Sequence, residues 1–172
     1  MNPVWKMIFA AGTLLSAGAT VAASLESGDA RFLKNAAEGG QFEIQASQLA
    51  DSKNASGDVK TFADEMVKDH TDVGKQLADL ASSKGVDVPT SPSVAEEAKL
   101  KLLQASSGTT FDHRYAKEVG VSAHEATIKL FRKEATSGKD PDVRAFAQKT
   151  LPALEHHLEM AKTLEASTAA MK

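Results

Sequence analysis

Four side chains that can bind a transition metal fall at inward positions of four predicted helices: Glu43, His70, His124 and His157. Neutral imidazole nitrogens and carboxylate oxygens both bind zinc, copper and iron, so these groups together are candidate ligands for one such ion. Each of them lies about 14 residues into its helix, roughly 21 Å along the axis. Residues at equal height in a bundle meet near its middle, and we therefore predict that the four side chains converge.

The same residues also fit a structural polar layer with no bound ion. Buried histidines are commonly satisfied by hydrogen bonds to a carboxylate, a hydroxyl or a free backbone carbonyl. Because the spacing matches no strict metal-binding motif, the structural layer is the first interpretation and the metal site is the alternative. In a metal-free layer we expect His70 and His157 to be neutral at neutral pH, because burial lowers the pKa of histidine unless Glu43 compensates.

Other polar residues are assigned outside this layer. Asp69 and Asp112 are expected near its margins, His113 and His156 face solvent, and the hydroxyl of Tyr115 is expected at the rim of the bundle. The chain has no cysteine and no GxSxG, Walker A or GxGxxG pattern. The sequence therefore predicts no catalytic residue, and one transition-metal ion is the only cofactor that it suggests.

The helix that positions His70 is predicted from the spacing of apolar residues between residues 59 and 81. These residues recur at steps of three and four and share one helix face with His70, while charged residues lie opposite. The residues on the apolar face are Val59, Phe62, Ala63, Met66, Val73, Leu77 and Leu80. The helix is amphipathic and must bury this face against partner helices.

Three further long helices and one short helix follow from capping residues and helix-breaking residues. The four long helices are predicted over about residues 27–53, 57–85, 111–135 and 141–167. Thr110 and Asp140 are the predicted caps of the last two, and a capping box at Ser93 and Glu96 opens a short crossover helix ending near Ala105. Short turns within each pair of long helices predict an all-α four-helix bundle made of two antiparallel hairpins.

Two glycines, Gly39 and Gly40, lie inside the first predicted helix. An interior glycine destabilises a helix by about 1 kcal/mol relative to alanine. We therefore expect either a close approach of another helix backbone at this point or a local bend.

Residues 1–23 have the features of a cleavable signal peptide. Lys6 precedes an apolar run over residues 7–15, and Val21, Ala22 and Ala23 offer the small residues that a signal peptidase reads. We predict cleavage after Ala23, export to the periplasm and a mature domain over residues 24–172. No transmembrane segment is predicted after removal of the signal, and the lack of cysteine excludes a lipoprotein start and disulfide bonds.

The composition excludes one class of partner. With 20 Lys and Arg against 23 Asp and Glu, the net charge of -3 gives no polycationic surface for nucleic acid. Lys99 and Lys101 lie near one side of the amphipathic crossover helix. This pattern is more typical of a helix that covers the bundle than of a lipid-binding face.

Four segments resemble, in order, an exported bacterial family called domain of unknown function 4142. They are FLKNAAEGGQFEIQASQLA, VKTFADEMVKDH, FDHRYAKEVGVSAHEATIKLF and VRAFAQKTLPALEHHLEMA. The resemblance implies a ferritin-like helical bundle that is exported. By analogy it implies a non-enzymatic role associated with the envelope or with stress.

Ferritin-like di-iron proteins carry a glutamate on each of two helices and a Glu-x-x-His on each of the other two. Glu43 corresponds to one glutamate, and His70 and His157 correspond to the two histidines. Three positions depart from that pattern: Val67, Leu154 and His124 occupy places where carboxylates are expected. These departures argue against oxygen-activating di-iron chemistry and leave a single transition-metal ion as the alternative.

Overall fold

The structure, a computed structural model, describes residues 25–170; the predicted signal peptide lies outside the described residues. The helices are α1 (Ser27–Ser52), α2 (Gly57–Ser83), α3 (Val94–Gln104), α4 (Gly108–Tyr115), a π-helical segment (Ala116–Ala123), α5 (His124–Ser137) and α6 (Pro141–Ala169). No strand occurs within residues 25–170, and the fold is all-α. In the same range, no helix is both long and apolar enough to cross a membrane.

These elements form the predicted bundle of two hairpins. Helices α4 and α5 and the π-helical segment between them follow one another without a break and make the third long rod. Helix α1 packs on α2, and α6 packs on α5 and on the π-helical segment. Helix α2 also contacts α6, and α1 contacts α5, so the two hairpins share one interior. The short α3 crosses between the hairpins and packs on α1.

Most helix ends lie where the capping residues predicted them. The side chains of Ser93 and Glu96 form the predicted capping box of α3, and the Asp140 carboxylate accepts hydrogen bonds from the first backbone N–H groups of α6. The third rod begins earlier than predicted, at Gly108 rather than after Thr110. Gly108 has a φ of 54°, a conformation that glycine adopts without strain, so it begins the rod instead of interrupting it.

The bundle core contains two apolar clusters with a polar layer between them. One cluster includes Phe42, Phe62, Met66, Tyr115, Val119 and Ala161. The other includes Phe32, Leu33, Leu77, Ile128, Phe131 and Leu154. Along α2, His70 lies between Met66 of the first cluster and Leu77 of the second. The polar layer is therefore enclosed by apolar side chains above and below, without bulk water on those sides.

The interior glycines differ in what surrounds them. A side-chain carbon added at Gly40 would have no atom of the described chain within 4 Å, and one at Gly39 would meet only side-chain oxygens at 3.9 Å. The expected close backbone approach at these two glycines is therefore wrong. The close approach occurs instead at Gly120, where an added carbon would lie 3.0 Å from Cβ of Ala161. Gly120 thus allows the π-helical segment to pack directly on α6.

This contrast predicts opposite effects for one substitution at two sites. Gly40→Ala should raise the free energy of unfolding by about 0.5–1 kcal/mol, because alanine favours the helix and the space is open. Gly120→Ala should lower it by about 1–3 kcal/mol, because the added methyl overpacks against Ala161. Denaturant unfolding of both variants beside the wild type measures the two changes, and a stability loss in Gly40→Ala would contradict the assignment of open space there.

Candidate metal centre

Three histidines from three helices form a compact triangle in the polar layer. The imidazole rings of His70, His124 and His157 have centroids 5.5 Å apart in each of the three pairs. One nitrogen from each ring lies within 4.8 Å of the other two. The residues are only 5%, 0% and 3% exposed, respectively. The predicted convergence of these three side chains is therefore found in the structure.

Each ring has one nitrogen that contacts an oxygen atom outside the triangle. His70 Nδ1 lies 3.0 Å from Oε2 of Glu43, and His157 Nε2 lies 3.1 Å from Oδ2 of Asp69. His124 Nδ1 lies 3.2 Å from the backbone carbonyl oxygen of Val119. A nitrogen that donates to such an oxygen fixes the tautomer of its ring and leaves the other nitrogen with a free lone pair.

The second nitrogen of each ring has no such contact. His70 Nε2, His124 Nε2 and His157 Nδ1 are buried and have no hydrogen-bond partner among residues 25–170. Buried polar atoms are nearly always paired in folded proteins, so three unpaired nitrogens on three neighbouring rings are unusual. The three rings thus share one pattern, with one nitrogen held by an oxygen atom and the other nitrogen unpaired.

Glu43 belongs to the layer and contacts the Nδ1 atoms of His70 and His124, which are not the unpaired nitrogens of these two rings. Its carboxylate is 1% exposed, and its Oε1 lies 3.5 Å from His124 Nδ1 while Oε2 contacts His70. Neither oxygen has a hydrogen bond of good geometry within the described part of the chain. Glu43 is therefore placed to orient two histidine rings from behind.

The charges in this layer shift the pKa values of its members. Burial raises the pKa of the Glu43 carboxyl, but attraction to His70 and His124 outweighs burial and the net pKa is lowered. Burial lowers the pKa of His70, but the Glu43 charge outweighs this and the net pKa is raised above 6.5. Burial and repulsion from His70 and His124 lower the pKa of His157 to about 4. The neutral state expected for His157 agrees with this, whereas His70 is the case in which Glu43 compensates.

The π-helical segment sets the position of His124. It ends at Ala123, and the carbonyl that contacts His124 Nδ1 belongs to Val119, five residues earlier. Wide π-type turns insert a residue into a helix and often occur at functional sites. The spacing of apolar residues did not predict this segment. Within the segment, Gly120 packs directly on Ala161 of α6.

Asp69 has a larger role than its predicted place at the margin. Its side chain is 30% exposed and contacts both His157 Nε2 and Lys68 Nζ, the latter at 3.0 Å. Burial raises the pKa of Asp69, but the hydrogen bonds from Lys68 and His157 outweigh burial and lower it. Ligand atoms of Glu65, Asp69 and His157 also lie within 4.8 Å of one another. Asp69 therefore links the buried triangle to the half-buried surface of α2.

The structure also shows the surroundings of the other polar residues singled out in the sequence. His113 and His156 are exposed, as predicted. The buried Asp112 carboxylate accepts a hydrogen bond from the backbone N–H of Ser56. The predicted rim position of Tyr115 is wrong. Its side chain is fully buried, and its hydroxyl bonds to Ser47 Oγ at 2.7 Å, because that hydroxyl on α1 supplies a partner inside the core.

The sequence profile of a family described as a domain of unknown function, DUF4142, matches residues 14–164. The chain belongs to the DUF4142 family. The crystal structure of a conserved hypothetical protein, rv2844, from Mycobacterium tuberculosis is similar, with a TM-score of 0.63 and 16% identity, covering 85% of this chain and 94% of that one. At this identity the likeness concerns the fold alone. None of the curated proteins compared with the chain matches it.

The interior of this DUF4142 protein does not fit a di-iron carboxylate centre. Such centres draw carboxylates from all four helices of a bundle. Within residues 25–170, Glu43 is the one carboxylate buried beside the three histidines, and Leu154 occupies an apolar core position one turn before His157. The donor set is dominated by nitrogen.

These pKa shifts predict the titration of the metal-free protein. His70 should titrate above pH 6.5 and His157 near pH 4, and Glu43→Gln should bring His70 below 6.5 because its compensating charge is removed. Two-dimensional NMR of the imidazole nitrogens measures these midpoints. Equal midpoints for His70 and His157 in the wild type would contradict the electrostatic assignment.

The same shifts give the sign of a stability change. A histidine whose folded pKa is raised stabilises the fold below pH 6.5, whereas one whose folded pKa is lowered destabilises the fold as the pH falls below 6.5. In the wild type His70 and His157 therefore oppose each other. In Glu43→Gln both act in the destabilising direction, so this metal-free variant should lose more thermal stability than the wild type between about pH 7 and pH 5.

Proposed function

We propose that this protein binds one divalent transition-metal ion of the zinc or copper type through the three histidines. The ligand atoms are Nε2 of His70, Nε2 of His124 and Nδ1 of His157. Glu43 and Asp69 act behind the ligands and hold the rings of His70 and His157. The sequence analysis grouped Glu43 with the ligands. In the present assignment Glu43 is not a ligand but orients the rings of His70 and His124.

The observation on which this function mainly depends is the set of three unpaired nitrogens. A buried polar atom left without a partner costs about 1–3 kcal/mol, so three such atoms would destabilise a purely structural layer by several kcal/mol. A metal ion bound to their lone pairs removes this penalty at all three atoms together. The structural layer offers no partner for these nitrogens within residues 25–170.

The contacts of the other nitrogen on each ring, which is not a proposed ligand, support the same function. Histidines that ligate a metal usually donate their other ring N–H to a carboxylate or a backbone carbonyl, which fixes the ring and raises its basicity. Here the oxygen atoms that contact those nitrogens belong to the Glu43 carboxylate, which lies 3.0 Å from His70, to the Val119 carbonyl and to the Asp69 carboxylate. A layer selected only for packing would not need this arrangement on every ring.

The donor set also indicates the class of metal. Imidazole nitrogens suit zinc, copper, iron and nickel, whereas magnesium and calcium prefer oxygen ligands. Structural zinc sites are usually closed by four protein ligands, and sites with three protein ligands keep one position for an exogenous molecule. A three-histidine site in this bundle is therefore of the open kind.

We also propose that the chain is exported and that the ion is bound in the periplasm, in a role associated with the envelope or with stress. The signal-like pattern of residues 1–23 and the family resemblance support this proposal. Cell fractionation followed by N-terminal sequencing tests it, with Ser24 as the expected first residue of a periplasmic product. A cytoplasmic product that retains Met1 would contradict it.

Metal binding is tested on the untagged mature chain, Ser24 to Lys172, after removal of metal by a chelator. Calorimetric titration should give one zinc or copper ion per chain, and a saturating ion should raise the melting temperature. Excess ligand at 100 times the dissociation constant stabilises a protein by about 2.7 kcal/mol. Manganese and magnesium should give little or no shift, because three imidazoles suit them poorly.

Substitutions distinguish the histidines that bind the ion from the residues that lie beside them. The double variant His70→Ala and His157→Ala should lose the metal-dependent shift entirely, whereas His156→Ala, one residue away and exposed, should retain it. Asp69→Asn should weaken the affinity by about 10–100-fold without abolishing it, as expected for a residue that orients a ligand. Circular dichroism checks that each variant is folded. Absence of a bound ion and of any shift in the wild type would overturn the proposal and leave a structural polar layer.

A further inference from the structure

Two buried acidic side chains from different hairpins meet where the first turn of α1 lies beside the last turn of α5. Asp29 is 2% exposed and Glu134 is 7% exposed, and both line one cleft of about 280 Å³. Their carboxyl groups lie within hydrogen-bonding reach of each other. Two carboxylates have no proton to donate, so a hydrogen bond between these groups requires that one of them is protonated.

The Asp29 carboxylate holds the turn between α5 and α6. Both of its oxygens accept a hydrogen bond from the backbone N–H of Lys139, at 3.1 Å each, and Oδ2 accepts another from the N–H of Asp140 at 2.6 Å. Because α1 belongs to the first hairpin and the turn to the second, these bonds join the two hairpins. A carboxyl oxygen that carries a proton accepts less well, so the proton of the pair belongs on Glu134.

Glu134 lacks a comparable set of donors. Its Oε1 is buried and has no hydrogen-bond partner among residues 25–170. The carboxyl group lies against Gly138, and a side-chain carbon added at that glycine would overlap with it. Burial, the charge of Asp29 and the hydrogen bond with Asp29 raise the pKa of Glu134 from its ordinary value of 4.5 to about 7. Glu134 therefore changes its charge near neutral pH.

Cationic groups around the pair are too few or too distant to offset this effect. Arg144 and Lys133 act to lower the pKa of Glu134, but burial and Asp29 outweigh them. The guanidinium of Arg144 donates to the backbone carbonyls of Gly138 and Lys139 at 2.9 and 2.8 Å, and Lys84 pairs with acidic residues at the start of α6. The remaining charged side chains that line the cleft are those of Glu26, Arg31 and Lys139.

We propose that Asp29 and Glu134 share one proton at neutral pH and form a pH-sensitive link between the two hairpins. With the proton on Glu134, its hydroxyl donates to Asp29, and Asp29 holds the α5–α6 turn against α1. When the O–H bond of Glu134 breaks, its electron pair stays on the carboxylate and the proton passes to water. Two buried carboxylates then repel each other, and the turn loosens from α1. The link does not involve the three histidines and operates with or without a bound ion.

The sign of the effect follows from the direction of the shift. A carboxyl group whose folded pKa is raised stabilises the fold fully below pH 4.5, and this contribution is lost as the pH rises through about 7. Glu134→Gln keeps an N–H donor for Asp29 but cannot titrate. The melting temperature of the wild type minus that of Glu134→Gln should therefore fall between about pH 5 and about pH 8. Histidine titration is common to both proteins and cancels in this difference.

The matched control is Glu125→Gln, the same change at an exposed position of α5. Its melting temperature should follow that of the wild type across this pH range. A folded Glu134→Gln with the same pH dependence as the wild type would overturn the proposal.

Two NMR measurements on the metal-free mature chain test the pair directly. The side-chain carboxyl carbon of Glu134 should titrate with a midpoint near pH 7 in the wild type, which needs no variant to fold. Asp29→Asn should weaken proton binding at Glu134 about tenfold or more, because the neighbouring charge is removed. A wild-type midpoint at the ordinary value of 4.5 would overturn the shared proton.

Hydrogen exchange tests whether the proton controls the link. The amides of Lys139 and Asp140 donate to Asp29, so their protection factors, which correct for intrinsic exchange, should fall about tenfold or more as the pH passes 7. In Glu134→Gln the same protection factors should not change with pH. Constant protection of both amides in the wild type between about pH 6 and about pH 8 would overturn the pH-sensitive link.

Discussion

Polar groups in the middle of an apolar bundle must find partners within the protein, because water does not surround them. This constraint governs the centre of the structure. Glu43, the Val119 carbonyl and Asp69 each contact one nitrogen of a histidine ring, and these contacts determine which way each ring faces. The apolar clusters on both sides prevent the rings from turning outward to solvent. The geometry of the triangle therefore follows from where the surrounding oxygens lie.

The convergence of the histidines was predictable because it depends on few quantities. Helix rise per residue is nearly constant, so counting from the caps of four long helices placed His70, His124 and His157 at one height. Periodicity then placed each of them on a buried face. Neither step requires knowledge of side-chain contacts, which is why the positions of the rings could be derived from the sequence.

The roles of the ring nitrogens could not be derived in this way. They depend on side-chain directions and on local backbone geometry that periodicity does not encode. Asp69 follows the pattern of a surface residue, and its contact with His157 exists only because α2 and α6 pack together. The π-helical segment could not be predicted from the sequence either, because residues 116–123 fit the residue spacing of an ordinary α-helix. The sequence shows a glycine at position 120, but it does not show that the π-helical segment packs closely on α6 at this glycine.

The positions of the three histidines in the chain also bear on how the fold assembles. His70 belongs to the first hairpin, while His124 and His157 belong to the second, and residues 84–107 connect the two. Closing a contact over such a long stretch costs chain entropy that short-range helix pairing does not. Each hairpin can form its own contacts early, but the triangle is complete only after the two halves dock. The chain has no cysteine and so cannot join its two hairpins by a disulfide bond. The three histidines instead bring side chains of both hairpins together at one point.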